Sequence, residues 1–414
     1  MNRRLLLGAA ACTFATAAAA AQLSVADAAA AASETAAASA AGTAGAAQPE
    51  SYIVVLKAVE ASAGPSAAAT RARARGVRVS REYRHALNGF AASLDATQRA
   101  AVLADPDVDY VEPDGPVHAD GAAEDDPTVQ ADAAQLPATW GLDRIDQRNR
   151  PLDNRYRYTS TGRGVTAYIF DTGIRTTHRD FGGRASGGFT AIDDGNGTAD
   201  CNGHGTHVAG TVGGSTYGVA KAVRLVSVRV LDCAGFGTIS GVIAGIDWAT
   251  ANRVSPAVAN MSLTGGASRA LDQAVRQSIA GGLGYTLAAG NDAGDACAVS
   301  PARVPRAITV GATLRNDSRA TAYSNFGSCL DLFAPGNAIM STWYTSDTAT
   351  NTLSGTSMAA PHVAGVAALY LERHPGAGPN AVRDAIVGAA TPDVLTSVGA
   401  GSPNLLVYSR GSGF

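Results

Sequence analysis

LSGTSMAAPHVAGVAALY, residues 353–370, consists almost entirely of small and apolar side chains at helical spacing. A helix apolar on every side belongs inside a domain. Near its start stand Ser357 and His362, among glycine, threonine and alanine. Small residues there let another backbone or a ligand come close. Serine is also a favoured helix cap, so capping alone could explain Ser357. Pro361 is read as part of the first helical turn, where its missing N–H does no harm.

Upstream of this helix the chain alternates between two textures. GVTAYIFDTG (164–173), VRLVSVRVLD (223–232), AVANMSL (257–263), GYTLAAGN (284–291) and AITVGAT (307–313) are apolar, β-rich runs. HVAGTVGG (207–214), SGVIAGIDWATANR (240–253) and ASRALDQAVRQSIAGG (267–282) carry helical period between them. Near-continuous apolar strands alternating with helices predict an α/β domain with a mostly parallel central sheet buried on both faces. The chemistry is then expected at the carboxyl ends of the strands.

The 414 residues are too many for one ordinary domain. A hydrophobic fraction of 46% permits a real core, and a net charge of -3 without long basic runs argues against nucleic acid as a partner. Residues 1–21 combine Arg3 and Arg4, a short apolar stretch and Ala-x-Ala, which reads as a secretory signal peptide; the paired arginines also permit twin-arginine export. No membrane association is expected after its removal. Residues 22–49 are an alanine-rich linker. Between 50 and 118, strand candidates at 52–56, 88–94 and 108–114 alternate with helix candidates at 66–74 and 97–105, predicting a small α+β unit. The acidic stretch VHADGAAEDDPTVQAD (117–132) is expected to be exposed, with 119–132 a cleavable linker before a domain spanning 133–414.

With Cys12 removed, Cys201, Cys233, Cys297 and Cys329 remain, an even number in an oxidising compartment with three possible pairings. No C-x-x-C spacing supports zinc.

Three polar islands interrupt the apolar runs. Asp171 follows a strand, His204 and His207 stand at the mouth of a glycine-flanked helix, and Ser357 opens the buried helix. Each has an ordinary explanation alone: an Asx turn for Asp171, a structural or metal-binding role for one or both histidines, a cap for Ser357. Together they are the parts of a nucleophilic triad. Serine attacks only when a base takes its proton, and a carboxylate holds that base in the right tautomer.

DTGI (171–174), NGHGTHVAG (202–210) and GTSMAAPHVAG (355–365), in this order, resemble the signatures of the subtilase family of serine peptidases. WGLDRIDQR (140–148) and TYGVAKAVRLVSVRVLD (216–232) are most similar to its proteinase K branch, especially the aqualysin-like bacterial members. The resemblance implies a subtilisin-like three-layer domain, preceded by a ferredoxin-like inhibitory propeptide at 50–118. It implies a secreted endopeptidase in which Asp171 orients His204, His204 is general base and acid, and Ser357 is nucleophile. Asn291 then corresponds to the oxyanion-hole asparagine, beside the Ser357 N–H. Ser262, Leu263, Thr264 and Gly265, with Ala288, Ala289 and Gly290, would line the substrate cleft; without charge at its base it suits apolar or aromatic side chains. Structural calcium, one or two ions, is implied at Pro305, Ala307 and Asp331, and at Asp143, Asp146 and Gln147 with Asp153 as a further ligand. The aqualysin-like pattern selects the pairs Cys201–Cys233 and Cys297–Cys329. It also implies polypeptide substrates, a monomer, a propeptide that acts as folding template and inhibitor, and maturation by a cut near Asp132–Ala133, because AAQLPATWGL (133–142) resembles mature proteinase K-like starts. An α/β-hydrolase esterase would need G-x-S-x-G and the opposite order of acid and base; a binding protein without activity would lack a triad member. Neither holds here.

Overall fold

The computed structural model describes residues 49–57, 66–119, 121–123, 137–411 and 413–414. The signal peptide, most of the alanine-rich linker and the expected cut near Asp132–Ala133 lie outside the described residues.

The first unit has the order β1 (Glu50–Leu56), α1 (Ala67–Ala74), β2 (Arg78–Tyr83), β3 (Gly89–Leu94), α2 (Ala96–Leu103) and β4 (Val108–Pro113). Its antiparallel sheet runs β2-β3-β1-β4, a ferredoxin-like arrangement. The strand β2 escapes the sequence pattern because RVSREY is a polar edge strand with only Tyr83 fully buried. One sheet face buries Val54, Phe90 and Ala92 against the helices. The other joins Ile53, Val55, Tyr83 and Ala91 to the core of the larger domain. Both faces of β1 are therefore covered, which accounts for its unbroken IVVL.

After β4 come β5 (Pro116–Ala119), β6 (Ala122–Ala123), α3 (Trp140–Ile145), β7 (Thr166–Asp171), β8 (Ala185–Thr190), α4 (His204–Gly213), β9 (Arg224–Arg229), β10 (Phe236–Thr238), α5 (Ile239–Asn252), β11 (Ala257–Met261), β12 (Leu263–Gly266), α6 (Arg269–Ala280) and β13 (Gly284–Ala288). The chain continues through β14 (Val299–Ser300), β15 (Ile308–Thr313), β16 (Leu332–Pro335), β17 (Ile339–Thr342), β18 (Thr350–Ser354), α7 (Thr356–Arg373), α8 (Pro379–Ala389), β19 (Thr391–Pro392) and β20 (Leu405–Leu406). Nine strands form the central sheet in the order β19-β20-β16-β15-β13-β11-β7-β9-β8, parallel except at β19. The helices α4 and α7 fill one face, where Val208, Val212, Val363 and Val366 share a core. On the other face Ile243, Ile246, Leu271 and Val275 place α5 and α6 in a core that also takes the first unit. This is the three-layer α/β architecture expected.

Three expectations need correction. The run 257–263 is not one strand: the chain leaves the central sheet after Met261, and β12 enters a second sheet of order β10-β5-β12-β14. The start of the supposed exposed acidic linker is exposed only in part: β5 is the inner strand of that sheet and Val117 is wholly buried, while His118 stays exposed. Pro361 lies at the sixth residue of α7, inside the helix. The carbonyl it cannot serve is that of Ser357, four residues back, and Ser262 Oγ donates to this carbonyl instead at 2.8 Å.

The first unit docks through carboxylates at helix starts. Asp114 accepts from the Ser240 N–H (2.9 Å) and Oγ (2.6 Å) in the first turn of α5. Glu112 accepts from Ser268 Oγ and from the Ala270 N–H at the start of α6. Negative charge there meets the positive end of each helix. Across the sheet, Asp247 of α5 accepts from the backbone N–H groups of Arg84, His85 and Ala86. Replacing Glu112 and Asp114 together by alanine should remove about 1 kcal/mol per cap. Limited trypsinolysis of the full chain should then cut within 67–113 well before wild type; equal cleavage rates would contradict the docking role.

Candidate active site

The strand β7 ends at Asp171 with β9 on one side and β11 on the other. The connection that leaves β7 runs to the β9 side and the one that leaves β11 runs on to β13, which makes this pair the topological switch point at which open α/β sheets place their ligands. Both carboxylate oxygens of the fully buried Asp171 lie at 2.8 and 2.9 Å from His204 Nδ1. A carboxylate only accepts, so Nδ1 carries the proton and Nε2 is left as the basic nitrogen.

The mouth of α4 is held in place from outside by Asp200. Its Oδ1 accepts from Thr172 Oγ1 and from the Asn202 and Gly203 N–H groups, while Oδ2 accepts from the N–H and Oγ1 of Thr206. Thr172 Oγ1 in turn accepts the Gly205 N–H at 2.9 Å. Gly203 has φ 114° against the ring of Trp343, 2.4 Å from where a Cβ would be. A Cβ on Gly205 would lie 2.2 Å from the Gly173 carbonyl. Only glycine allows the helix mouth and the end of β7 to come this close. The bridge Cys201–Cys233 closes the loop just before His204, and Cys297–Cys329 closes a second one, both as expected.

Ser357 is wholly buried in the first turn of α7, and its Oγ donates to the Ser262 carbonyl at 3.0 Å. With Ser262 Oγ on the Ser357 carbonyl, the two residues are doubly joined. Asn291 Oδ1 accepts from the Thr356 N–H (2.9 Å) and Oγ1 (3.1 Å). That assignment turns its amide N–H groups away from Thr356. The loop holding Asn291 is shaped by Asn325, whose Oδ1 accepts from the Asp292 and Gly294 N–H groups and whose Nδ2 donates to the Ala289 carbonyl.

The strand β5 fills a slot between two strands of the larger domain. His118 faces Thr264 of β12 and Phe236 of β10; Ala119 faces Leu263 and donates its N–H to the Gly235 carbonyl at 2.9 Å. Beyond it β6 pairs with β18. Between the two, Gly121 lies against both His204 and Met358, the neighbour of Ser357: a Cβ on it would be 3.4 Å from His204 Nε2 and 3.5 Å from Met358 Sδ. Gly121 thus lies against His204 between the pairing of β5 and that of β6.

Residues 162–405 match the model of the subtilase family, and residues 51–120 that of the peptidase inhibitor I9 family. The chain belongs to the subtilase family. An extracellular serine proteinase of Thermus sp. (strain Rt41A) is 57% identical over 81% of this chain and 78% of its own. Alkaline serine exoprotease A of Vibrio alginolyticus is 52% identical over 80% of this chain and 60% of its own. A crystal structure of a cold-adapted subtilisin-like serine proteinase superposes with a TM-score of 0.65 at 54% identity, over 66% of this chain and 99% of that one. This subtilase is a serine peptidase preceded by an inhibitor domain of the I9 type.

The remaining candidates fall at several places in this subtilase. Ser262, Leu263, Thr264, Gly265, Ala288, Ala289 and Gly290 are all buried beside the slot. His207 is no partner of His204 in metal binding: its Nε2 contacts the Ile339 carbonyl at 2.8 Å, and burial holds it down at about 3. Asp143 and Asp146 are not surface groups but 1% exposed. Asp143 accepts from the Asn154 N–H and Asp146 from the Arg157 N–H, whereas Asp146 Oδ1 is buried without a hydrogen-bond partner. Burial pushes the Asp146 carboxyl up to about 6. Gln147 donates to the carbonyls of Asn149 and Pro151. Asp331 accepts from the Thr309 N–H at 2.8 Å and pairs with Arg383, a partner without any signal in the sequence. Among the described residues, Asp194, Cys201 and Cys233 alone bring three such side chains close enough to share an ion, and those sulfurs are joined in the disulfide. No helix among the described residues is long and apolar enough to cross a membrane.

His207 and His362 are buried neutral, His362 at about 4. Both lie below the ordinary value, so the unfolded chain takes up protons first as pH falls through about 6.5. Their contribution is complete above that pH and is lost below it, down to about 4 for His362 and about 3 for His207, at up to ~1.4 kcal/mol per pH unit for each imidazole. Urea midpoints measured from pH 7 to 4.5 should fall more steeply for wild type than for His207→Gln; parallel curves would contradict this.

Proposed function

We propose that this subtilase is a secreted serine endopeptidase, made as a self-processing zymogen, that cleaves polypeptides through an acyl-enzyme. The observation that carries the reading is β5 paired on both edges in the slot beside His204 and Ser357. Pairing through main-chain groups accepts any extended peptide and leaves preference to side-chain pockets. A path that continues to β18 favours cleavage within a chain.

In the proposed reaction Ser357 Oγ turns from the Ser262 carbonyl, gives its proton to His204 Nε2 and bonds to the scissile carbonyl carbon. Asp171 steadies the imidazolium through Nδ1–H. The oxyanion accepts from the Asn291 amide and from the Ser357 N–H at the start of α7. Collapse breaks the C–N bond, and His204 returns the proton to the leaving amine. Water then repeats the sequence on the acyl-enzyme. Small residues at 288–290 and 262–265 suit apolar or aromatic side chains before the cleaved bond.

The same geometry favours a first self-cut on the amino side of Gly121, which lies against His204 as a leaving group would; the residue before that bond is Asp120, so main-chain pairing of β5 and not the apolar preference selects it. The expected end near Asp132–Ala133 is then reached by a second cut. Structural calcium fits the loop of Asp143, Asp146 and Asp153, where a buried, unpartnered carboxylate oxygen suits a hard cation. With Gln147 as a further ligand it would tie this loop to α3 and contribute stability only.

Matured Asn291→Ala should lose 10²–10³-fold in kcat on a peptide anilide, with KM little changed, a magnitude known from subtilisin, the family's namesake. Ser357→Ala, freed of its propeptide by wild-type enzyme in trans, should lose about 10⁴-fold or more. Casein hydrolysis by Ser357→Ala within tenfold of wild type would overturn the proposal.

A further inference from the structure

The two implied calcium positions differ in what surrounds their carboxylates. At the first, Asp146 Oδ1 is buried and unpartnered. At the second, the single carboxylate, Asp331, is fully engaged. Its Oδ2 accepts the Thr309 N–H, and its Oδ1 accepts from Nη2 of Arg383 in a charge-assisted bond. The Asp331 side chain is 11% exposed and that of Arg383 32%. Arg383 is no stray surface group: α8 is anchored by Val382 and Ile386, both in the core, and these flank it on the helix. Arg306, between Pro305 and Ala307, holds the left-handed φ of 74°, uncommon for a residue with a side chain.

A guanidinium stays protonated at every accessible pH. It balances the largely buried Asp331 without an ion from solution, while its other amino group reaches the exposed Asp384 at 3.2 Å. A divalent cation at the same carboxylate would stand beside that fixed positive charge in a poorly solvated place, where like charges repel strongly. It would also have to gather six to eight oxygens, of which this position offers the carbonyls of Pro305 and Ala307 and one carboxylate already in use.

We propose that Arg383 takes the place of calcium at Pro305, Ala307 and Asp331, so that this loop is held by an internal ion pair insensitive to chelators. The inference rests on the calcium reading of the implied sites given above. It assigns any calcium dependence of the enzyme to the Asp143–Asp146 loop alone.

The test uses matured enzyme blocked with a serine-directed covalent inhibitor. Bound calcium per chain is counted by native mass spectrometry, and Tm is measured in calcium and in chelator. The expected result is equal calcium in wild type and Asp331→Asn, one ion fewer in Asp146→Asn, and one ion more in Arg383→Gln. The Tm of Arg383→Gln should fall in chelator and recover with calcium by a larger shift than wild type shows. Arg383→Lys, which keeps the charge, should gain no ion and serves if the glutamine variant does not fold. The proposal is overturned if Asp331→Asn holds one ion fewer than wild type, because calcium then shares the carboxylate with Arg383. It is equally overturned if Arg383→Gln gains no ion. An unchanged count in Asp146→Asn would instead remove the first site, leaving the comparison of wild type with Arg383→Gln to decide on Arg383.

Discussion

Two short strands of the peptidase domain, β10 and β12, face each other across a gap one strand wide. Their N–H and C=O groups on that side need partners, since an open strand edge pairs with whatever extended chain is offered. In the precursor β5 supplies them, with Val117 buried and Ala119 bonded to Gly235. The constraint links three properties usually described apart. It gives the inhibitor domain a fixed exit beside His204, and on the proposed reading it blocks the cleft while the chain is intact and outlines the shape an external substrate must take. The carboxylates of Glu112 and Asp114 at the starts of α6 and α5 set where β5 begins. The docking of the first unit and the contents of the slot are therefore one arrangement.

The existence of the slot depends on the chain leaving the central sheet after Met261. Ser262 is the pivot. It bonds through its side chain to the Ser357 carbonyl and through its own carbonyl to Ser357 Oγ. The first of these bonds is open because Pro361 has no N–H to offer within α7. A proline inside a buried helix, costly elsewhere, here joins the candidate nucleophile to the strand that would bind its substrate.

The sequence made much of this legible, for physical reasons. Strands β7, β9, β11, β13 and β15 are buried on both faces and so read as apolar runs; β2, β8, β10 and the β17–β18 hairpin are short, polar or at edges, and left no such trace. Asp171, His204 and Ser357 stood out as polar islands, and Asp171 and His204 are in contact, whereas Ser357 bonds to Ser262. Asp200 has no sequence signal of its own, because its role is to collect N–H and hydroxyl donors that the sequence does not display. The break at Ser262 was hidden inside a continuous β-rich run. Arg383 looked like any polar position on an amphipathic helix; its partner Asp331 is 52 residues away.

The most direct test of the slot as the enzyme's first substrate site is the amino terminus of the earliest processed product. Wild type and Ser357→Ala would be exported separately, each from its own protease-deficient host, to an oxidising compartment and sampled over time by N-terminal sequencing and intact mass. The account predicts a product beginning at Gly121 that precedes any beginning at Ala133, and no cut at either place in Ser357→Ala alone. A first product beginning at Ala133, or identical cleavage of the serine variant, would contradict it.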